Sequence, residues 1–253
     1  MLIRDRPMVI PTGMTEIIIT MPMAETELFD LMSWMSPAWP IGAFAHSSGL
    51  EWAVEAGLVS DRASTAEWIL SLLEEGALRN DAVLFVHAWR AVSTGDEAAL
   101  AGVAETAAAA LTSHERRLES TAQGAAFRRI AAATATTPRF AALLKDIPDE
   151  DLTYPVAAAV LFACCEIELR PALTAWLHGA VSNLVSAAQR LIPLGQTDGQ
   201  LVLRQLRDAV LAAAEEGCAL PPGDPFDAMG GCTLLADIGC MAHETQYTRL
   251  FRT

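Results

Sequence analysis

The 253-residue sequence is poor in basic residues. Lysine and arginine together number 17 against 31 aspartates and glutamates, which gives a net charge of −14. Most of such a surface would repel a phosphate backbone or an anionic membrane. The composition therefore argues against general binding to nucleic acids or to anionic membranes.

The sequence also lacks a disulfide framework and any long apolar run. Its five cysteines are odd in number, which is typical of a reducing compartment. The longest apolar run, residues 156–165, is about half of a membrane span. Near the N-terminus, Asp5, Pro7 and Pro11 interrupt any apolar core of a signal peptide. We therefore expect a soluble, cytoplasmic protein.

Aromatic residues make up only 6%, and no stretch alternates in polarity with period two for long enough to build a sheet. Alanine, the strongest helix former and a poor strand former, occupies 46 positions. The sequence thus predicts an all-α protein, with a single helical-bundle domain of roughly eight to ten helices and flexible N- and C-terminal segments. We place the helical domain at residues 24–216, an N-terminal extension at 1–23, and a linker and partner-binding tail at 217–253.

Helical periodicity is clearest after Pro171, where apolar residues recur on one face from Leu173 to Ile192. Residues 154–169 are apolar nearly all round, which is typical of a central buried helix. Further helices are predicted over residues 25–35, 49–56, 81–92, 112–133 and 201–215, and one begins at residue 64.

Three Ser/Thr-x-x-Glu patterns predict capping boxes at helix starts. They are Ser48 with Glu51, Ser64 with Glu67, and Thr112 with Glu115. The helix after Thr112 is expected to expose a polar face made of Arg116, Arg117, Glu119, Gln123, Arg128 and Arg129.

Enzyme signatures are missing, since the sequence has no Gly-x-Ser-x-Gly elbow, no phosphate-binding loop and no Gly-x-Gly-x-x-Gly. His243-Glu244 begins like a His-Glu-x-x-His zinc motif, but Tyr247 stands at the second histidine position. Cys240 and His243 are spaced to offer two ligands from a helix, which is too few for a structural site. We predict no catalytic residue, cofactor or metal site; a metal-dependent enzyme using Cys240, His243 and Glu244 is the alternative.

Two other stretches allow both a structural and a functional interpretation. The polar residues of 36–52, except His46, can all serve as caps or turn elements, or the stretch forms a shaped loop that presents Trp39, Phe44 and His46 to a partner. Residues 190–196 are either a plain helix end or a rigid turn that offers Arg190 and Gln196 to a partner.

Together with the tail, these stretches resemble, in the same order, three motifs of the UreF family of urease accessory proteins. The middle motif matches residues 190–196, and the position of His46 is often tyrosine in the family. The first motif matches at Ser36, Pro37, Pro40, Ile41, Gly42, Phe44, Ser47, Gly49, Leu50 and Glu51, and the last at His243, Glu244, Arg249, Leu250 and Phe251.

The resemblance implies an all-helical scaffold that forms a homodimer and is not itself a catalyst. It implies binding to the accessory protein UreD (also called UreH) and to the GTPase UreG, docking on apo-urease, and support of GTP-dependent nickel insertion. The tail is expected to become ordered against UreD, and an adaptor for another GTPase assembly is the alternative. The expected partner-binding residues are Pro37, Trp39, Pro40, Gly42, Phe44, His46, Ser47, Gly49, Glu51, Arg190, Gln196, His243, Glu244, Tyr247, Arg249, Leu250, Phe251 and Arg252.

Overall fold

The computed structural model describes residues 23–135 and 137–253, and within these residues it contains helices and no strand. The all-α prediction is confirmed, whereas the prediction for residues 1–22 lies outside the described part. The helices are α1 (Glu25–Trp34), α2 (Leu50–Glu55), α3 (Arg62–Glu74), α4 (Ala77–Thr94), α5 (Glu97–Ala109), α6 (His114–Thr134), α7 (Pro138–Leu143), α8 (Tyr154–Cys164), α9 (Leu169–Leu191), α10 (Gln196–Ala219), α11 (Pro225–Ala228) and α12 (Leu234–His243), with a 3-10 turn at Ala43–Ala45.

Helix α8 lies at the centre of the bundle, packed chiefly on α4 and α6. Every side chain from Pro155 to Ala163 is buried, as its uniformly apolar sequence predicts. The helix ends at Cys164, earlier than predicted, because Glu166 adopts a left-handed conformation with φ of 58°. The chain turns there and re-enters helix at Leu169.

Several of the aromatic residues form a cluster around α8. The Phe162 ring stacks on Trp34 with a centroid distance of 5.4 Å and meets Phe85 edge-on at 5.9 Å. Phe85 in turn lies 5.7 Å from Trp176 of α9. Such pairs add directional contacts to the burial of large apolar surfaces. This cluster ties α1, α4, α8 and α9 to one core.

Helix α6 approaches the chain just before α8 at Gly124. A Cβ atom built there would overlap the carbonyl oxygen of Leu152. The absence of a side chain at this position therefore lets α6 lie directly against the backbone that leads into α8.

The capping box predicted at Ser64 and Glu67 is wrong. Helix α3 begins at Arg62, and its N-cap is Asp61, whose carboxylate accepts a hydrogen bond from the Ser64 amide at 2.8 Å. The Ser64 hydroxyl closes the box by accepting from the Asp61 amide at 3.1 Å. Asp61, three residues before Ser64, is therefore the N-cap of this helix.

The box predicted at Thr112 and Glu115 is also wrong. The N-cap of α6 is Ser113, whose hydroxyl accepts from the Arg116 amide at 3.1 Å. Glu115 does not cap the helix, because its carboxylate bonds to His243 of α12. The Glu115 side chain therefore bonds to a residue that is distant in sequence and not to the N-cap of its own helix.

The polar face predicted for α6 is only partly exposed. Arg116, Glu119 and Gln123 are buried, Arg117 and Arg128 are half-buried, and Arg129 is exposed. The prediction fails for the first three because chain segments distant in sequence cover that face. These segments form the surface described next.

Helix α12 packs against α2 and α6, so the C-terminal part of the chain lies on the helical body. Helix α10 continues through Gly217 to Ala219, and Gly217 faces Leu173 of α9 so closely that a Cβ atom there would lie 2.6 Å from its Cδ2 atom. Within the described residues, none of the helices is both long enough and apolar enough to cross a membrane.

Candidate partner-binding surface

Three segments that are far apart in sequence meet at one end of the bundle. They are the proline-rich loop (residues 36–48), the α9–α10 turn (residues 190–196) and the C-terminal segment (residues 244–253). The loop and the C-terminal segment are joined by two backbone hydrogen bonds, from the Ser47 amide to the Thr253 carbonyl at 2.7 Å and from the Arg252 amide to the Ala45 carbonyl at 2.8 Å. The segments singled out in the sequence therefore form one structure.

Arg190, at the end of α9, contacts both of the other segments. Its guanidinium donates to the Phe44 carbonyl of the loop at 2.5 Å and lies 4.2 Å from the centroid of the Phe251 ring. Asn183, two turns earlier on the same helix, donates to the Ala43 carbonyl at 3.1 Å. Helix α9 thus holds the backbone of the loop in place.

Glu51 of α2 holds the C-terminal segment. Its carboxylate accepts hydrogen bonds from the Leu250 amide at 2.6 Å and from the Phe251 amide at 2.9 Å, and it lies 2.9 Å from Nε2 of His243. The capping box predicted for Ser48 and Glu51 is therefore wrong. The N-cap of α2 is Gly49, whose φ of 80° is left-handed, and the preceding Ser48 also has a positive φ of 52°.

His243, the last residue of α12, is fully buried between two carboxylates. Besides the contact with Glu51, its Nδ1 atom lies 2.8 Å from Glu115 of α6. Arg249 approaches the same Glu115 carboxylate at 3.4 Å. Burial raises the pKa of Glu115, against the opposing effects of His243 and Arg249.

A second buried ionic cluster lies beside the first. Arg116 bonds Glu119 at 3.0 Å and Asp81 of α4 at 3.2 Å, and the Ser48 hydroxyl donates to Glu119 at 2.7 Å. Burial raises the pKa of Asp81 to about 6, although Arg116 favours its charged form. Ser48 thereby connects the proline-rich loop to the core of the bundle.

His46 links the proline-rich loop to Thr253 of the C-terminal segment. Its Nδ1 atom lies 2.6 Å from the Thr253 hydroxyl, and both residues are buried. Burial lowers the pKa of His46, with Glu119 acting in the opposite direction. The ring therefore favours its neutral form.

The predicted partner-binding residues divide into three groups according to their burial. Those that are buried within this chain and hold the three segments together are His46, Ser47, Gly49, Glu51, His243 and Phe251. Trp39 and Gly42 are half-buried. The exposed residues are Pro37, Pro40, Phe44, Arg190, Gln196, Glu244, Tyr247, Arg249, Leu250 and Arg252.

Three residues that build this surface were not expected there. Glu115 was predicted to cap a helix, Arg116 was predicted to be exposed, and Asp81 gave no signal, since charged residues on a helix are usually on its solvent-facing side. The presence of His243 and Arg249 among many carboxylates was the available hint, because a buried cation requires an anionic partner.

The residues considered for a metal site do not come together as one. Within residues 23–135 and 137–253 there is no group of three or more His, Cys, Asp or Glu side chains arranged to hold a metal ion. Glu244 is exposed, whereas Cys240 is buried, and burial raises the pKa of its thiol to about 12. Both ring nitrogens of His243 face carboxylates.

An exposed apolar face lies beside the C-terminal segment. It consists of four α12 side chains, each at least two-fifths exposed, next to Tyr247 and Leu250 of the segment. Contiguous apolar exposure of this kind marks interaction sites on soluble proteins. The four residues are Leu234, Leu235, Ile238 and Met241.

Known proteins identify the family of this chain. The family model UreF matches residues 59–207, more than half of the chain. The chain belongs to the UreF family. A urease accessory protein UreF of Rhodopseudomonas palustris strain HaA2 is 47% identical over 226 residues, which cover 89% of this chain and 93% of that relative. The namesake proteins of Bradyrhizobium diazoefficiens and of Bradyrhizobium sp. strain BTAi1 are 46% and 47% identical over the same share of the chain, covering 91% and 92% of their own lengths.

The UreF relatives are named as accessory proteins of urease and not as urease itself. The matched residues 59–207 include the α9–α10 turn but neither the proline-rich loop nor the C-terminal segment. The alignments with the UreF relatives are longer than this match, since they cover 226 residues or 89% of the chain.

Proposed function

We propose that this chain is a non-catalytic scaffold for urease maturation. In this role it bridges a UreD (UreH) homologue and the GTPase UreG, and supports GTP-dependent insertion of nickel, the cargo, into apo-urease. Its UreF relatives are named urease accessory proteins. The observation that carries the proposal is the convergence of the three motif segments on one surface, held by Glu51 and Arg190.

The UreD homologue binds, in this proposal, to the exposed face of α12 and the C-terminal segment. Tyr247 is fully exposed and Leu250 is 63% exposed, beside Ile238 and Met241. Aromatic and apolar side chains grouped with arginines, here Arg249 and Arg252, are the types that dominate protein–protein binding energy. Docking of the UreD homologue would remove this apolar surface from water, which is favourable for binding.

A second copy of the chain binds, in this proposal, on another face. A groove of about 1020 Å³ lies between α1, α9 and α10, with an apolar floor that includes Leu31, Met35 and Val210. Helix α1 forms one wall of this groove, and its Phe29 and Met32 side chains, each more than 60% exposed, form an apolar ridge at the groove. A two-fold axis would place the α1 ridge of each copy in the groove of the other, as an isologous interface requires.

Charge also favours this pairing. Helix α1 carries Glu25, Glu27 and Asp30, whereas the groove is rimmed by Arg170, Arg204 and Arg207. In a chain with a net charge of −14, a basic rim opposite an acidic ridge makes two copies complementary at this one face.

The proposal is tested by reconstitution of urease from purified components. The expected result is that apo-urease with UreD, UreG, GTP and nickel gains bound nickel and activity only when this chain is added. Removal of residues 244–253 is expected to abolish UreD binding and nickel loading. Nickel loading that proceeds equally without the chain would contradict the proposal and favour an adaptor for another assembly.

Two matched substitutions separate the two faces. Ile238→Asp on α12 is expected to prevent UreD binding and leave self-association intact. Met32→Asp on α1 is expected to give monomers by light scattering and leave UreD binding intact. If both variants behave like the unmodified chain, the assigned faces are wrong.

A further inference from the structure

The groove between α1, α9 and α10 starts where the described part of the chain starts. Met23, the first described residue, lines this groove and is partly buried against the core. The residues that precede Met23 are therefore tethered at the groove itself and not at a distant point of the bundle.

These preceding residues include a strongly apolar run. Residues 17–21 read Ile-Ile-Ile-Thr-Met and contain no charged residue. Full burial of one isoleucine side chain is favourable by about 1.5–3 kcal/mol, so three in succession gain much from an apolar surface within their reach. The run is therefore a ligand for such a surface if one lies close enough.

The length of the chain keeps the run close to the groove. Six residues at no more than about 3.6 Å each hold Ile17 within about 22 Å of Met23. The groove follows residues 170–181 of α9 and 200–211 of α10. At about 1.5 Å per helical residue this is a length of about 17 Å, and five residues of chain span up to about 17 Å. The run and the groove therefore match in length.

The surface of the groove suits this run chemically. Besides its apolar floor, the groove is lined by Met32 and Leu211, whose side chains are 67% and 43% exposed. Its charged side chains are the three arginines of the rim. Glu16, which directly precedes the run, carries the opposite charge. The groove therefore offers apolar contacts to residues 17–21 and a charged partner to the residue before them.

Tethering favours the run over a second copy of the chain as the occupant of the groove. A segment joined to its site by a short linker acts at an effective concentration in the millimolar range. A second copy at about 1 µM is about a thousandfold more dilute than the tethered run. Even a weak intrinsic affinity therefore lets the run fill the groove of the free chain first.

We propose that residues 17–21 bind in the groove of their own chain and must leave it before a second copy can enter. Occupation of the groove concerns this chain alone, whereas the competition rests on the pairing proposed above. If the run fills about nine-tenths of the grooves, a pair that needs two open grooves is weakened by about a hundredfold. The run thereby sets the concentration at which the chain pairs.

Photochemical cross-linking tests the occupation of the groove. The full chain carries p-benzoylphenylalanine in place of Ile18, and ordinary chains are mixed with an equal amount of heavy-isotope-labelled chains at low micromolar concentration. The expected cross-links join this position to α9 or α10 within single chains, so each linked peptide pair is wholly labelled or wholly unlabelled. The same group in place of Gly13, outside the run, is the control and should give few such links.

Analytical sedimentation tests the competition with a second copy. Ile18→Asp places a charge in the run and is expected to tighten self-association by between about tenfold and a hundredfold, because the groove is then open. Thr15→Asp adds the same charge outside the run and should behave like the unmodified chain. Met32→Asp combined with Ile18→Asp removes the proposed interface and should abolish the gain.

The two parts of the proposal fail on different results. Occupation of the groove is overturned if position 18 gives no within-chain cross-links to α9 or α10. The competition is overturned if Ile18→Asp associates no more tightly than Thr15→Asp, which includes the case in which neither variant associates. Self-association that Met32→Asp leaves unchanged, with within-chain cross-links still present, contradicts the pairing and not the occupation of the groove by residues 17–21.

Discussion

Arg190 and Phe251 form the contact that joins the end of α9 to the C-terminal segment. The guanidinium lies 4.2 Å from the centre of the Phe251 ring, and the same group donates to the Phe44 carbonyl at 2.5 Å. A planar guanidinium can stack on a ring and still direct its N–H groups to a carbonyl, which a lysine ammonium cannot reproduce. One side chain thereby contacts the proline-rich loop and the C-terminal segment together.

Shortening Phe251 should loosen the C-terminal segment. Phe251 is 4% exposed, and Phe251→Ala is expected to lower the free energy of unfolding by about 3 kcal/mol. Arg190→Lys, which keeps the charge and loses the stacking, should cost about 0.5–1 kcal/mol. Urea unfolding measures both, with Tyr247→Ala as a fully exposed control that should stay within about 0.5 kcal/mol. Equal stability of all variants would contradict the contact.

Alanine substitutions at two glycines with similar backbone angles distinguish the cost of a left-handed backbone from the cost of a steric contact. Gly49 and Gly57 have φ of 80° and 73°, but only at Gly49 would a Cβ atom meet neighbours, at 3.0 Å from both the Ala236 carbonyl oxygen and the Cys240 sulfur. Gly57→Ala should cost about 1–2 kcal/mol for the left-handed backbone alone. Gly49→Ala should cost more in urea unfolding, because α12 must also move away from α2. Equal losses would show that the contact is unimportant.

Two helical glycines should respond to alanine with opposite signs. At Gly102 of α5 a Cβ atom meets nothing within 4 Å, so Gly102→Ala should stabilise by up to about 1 kcal/mol through helix propensity. At Gly124 the new atom would overlap the Leu152 carbonyl, so Gly124→Ala should destabilise by several times that amount. Thermal unfolding of both variants checks the pair, and a stabilising Gly124→Ala would refute the close approach of α6.

The raised pKa of Asp81 predicts a pH-dependent stability. Because burial raises this pKa from 3.8 to about 6, the folded state retains the proton to higher pH than the unfolded state does. The stabilising contribution is present at acid pH and is lost as the pH rises to about 6. The free energy of unfolding of the Asp81→Asn variant, relative to that of the unmodified chain, should therefore increase as the pH rises from 4 to 6. A constant difference across this range would contradict the shift.

The helical body was largely predictable because its signals are local. The apolar stripe from Leu173 to Ile192 and the apolar run from residue 156 onward correspond to buried faces of α9 and α8. The site was predictable only as separate motifs. What joined them could not be read from the sequence, because Glu51 and Glu115 form their hydrogen bonds with residues more than a hundred positions away.

The failed capping boxes show the same limit in detail. Glu51 and Glu115 each fit a local motif, yet in the folded chain both side chains turn away from their own helix ends toward His243. A buried imidazole offers a carboxylate a stronger interaction than a solvent-exposed amide does. Local pattern rules therefore fail first where a distant polar group is buried.

The hydrogen bonds that Glu51 accepts determine which side chains of the C-terminal segment can vary. Its carboxylate holds the peptide N–H groups of positions 250 and 251, a feature that every amino acid except proline provides. The path of the chain is thus set without reference to the Leu250 side chain, which points outward. That position is free to be exchanged, in nature or by engineering, to suit a different binding surface while the architecture beneath it stays as it is.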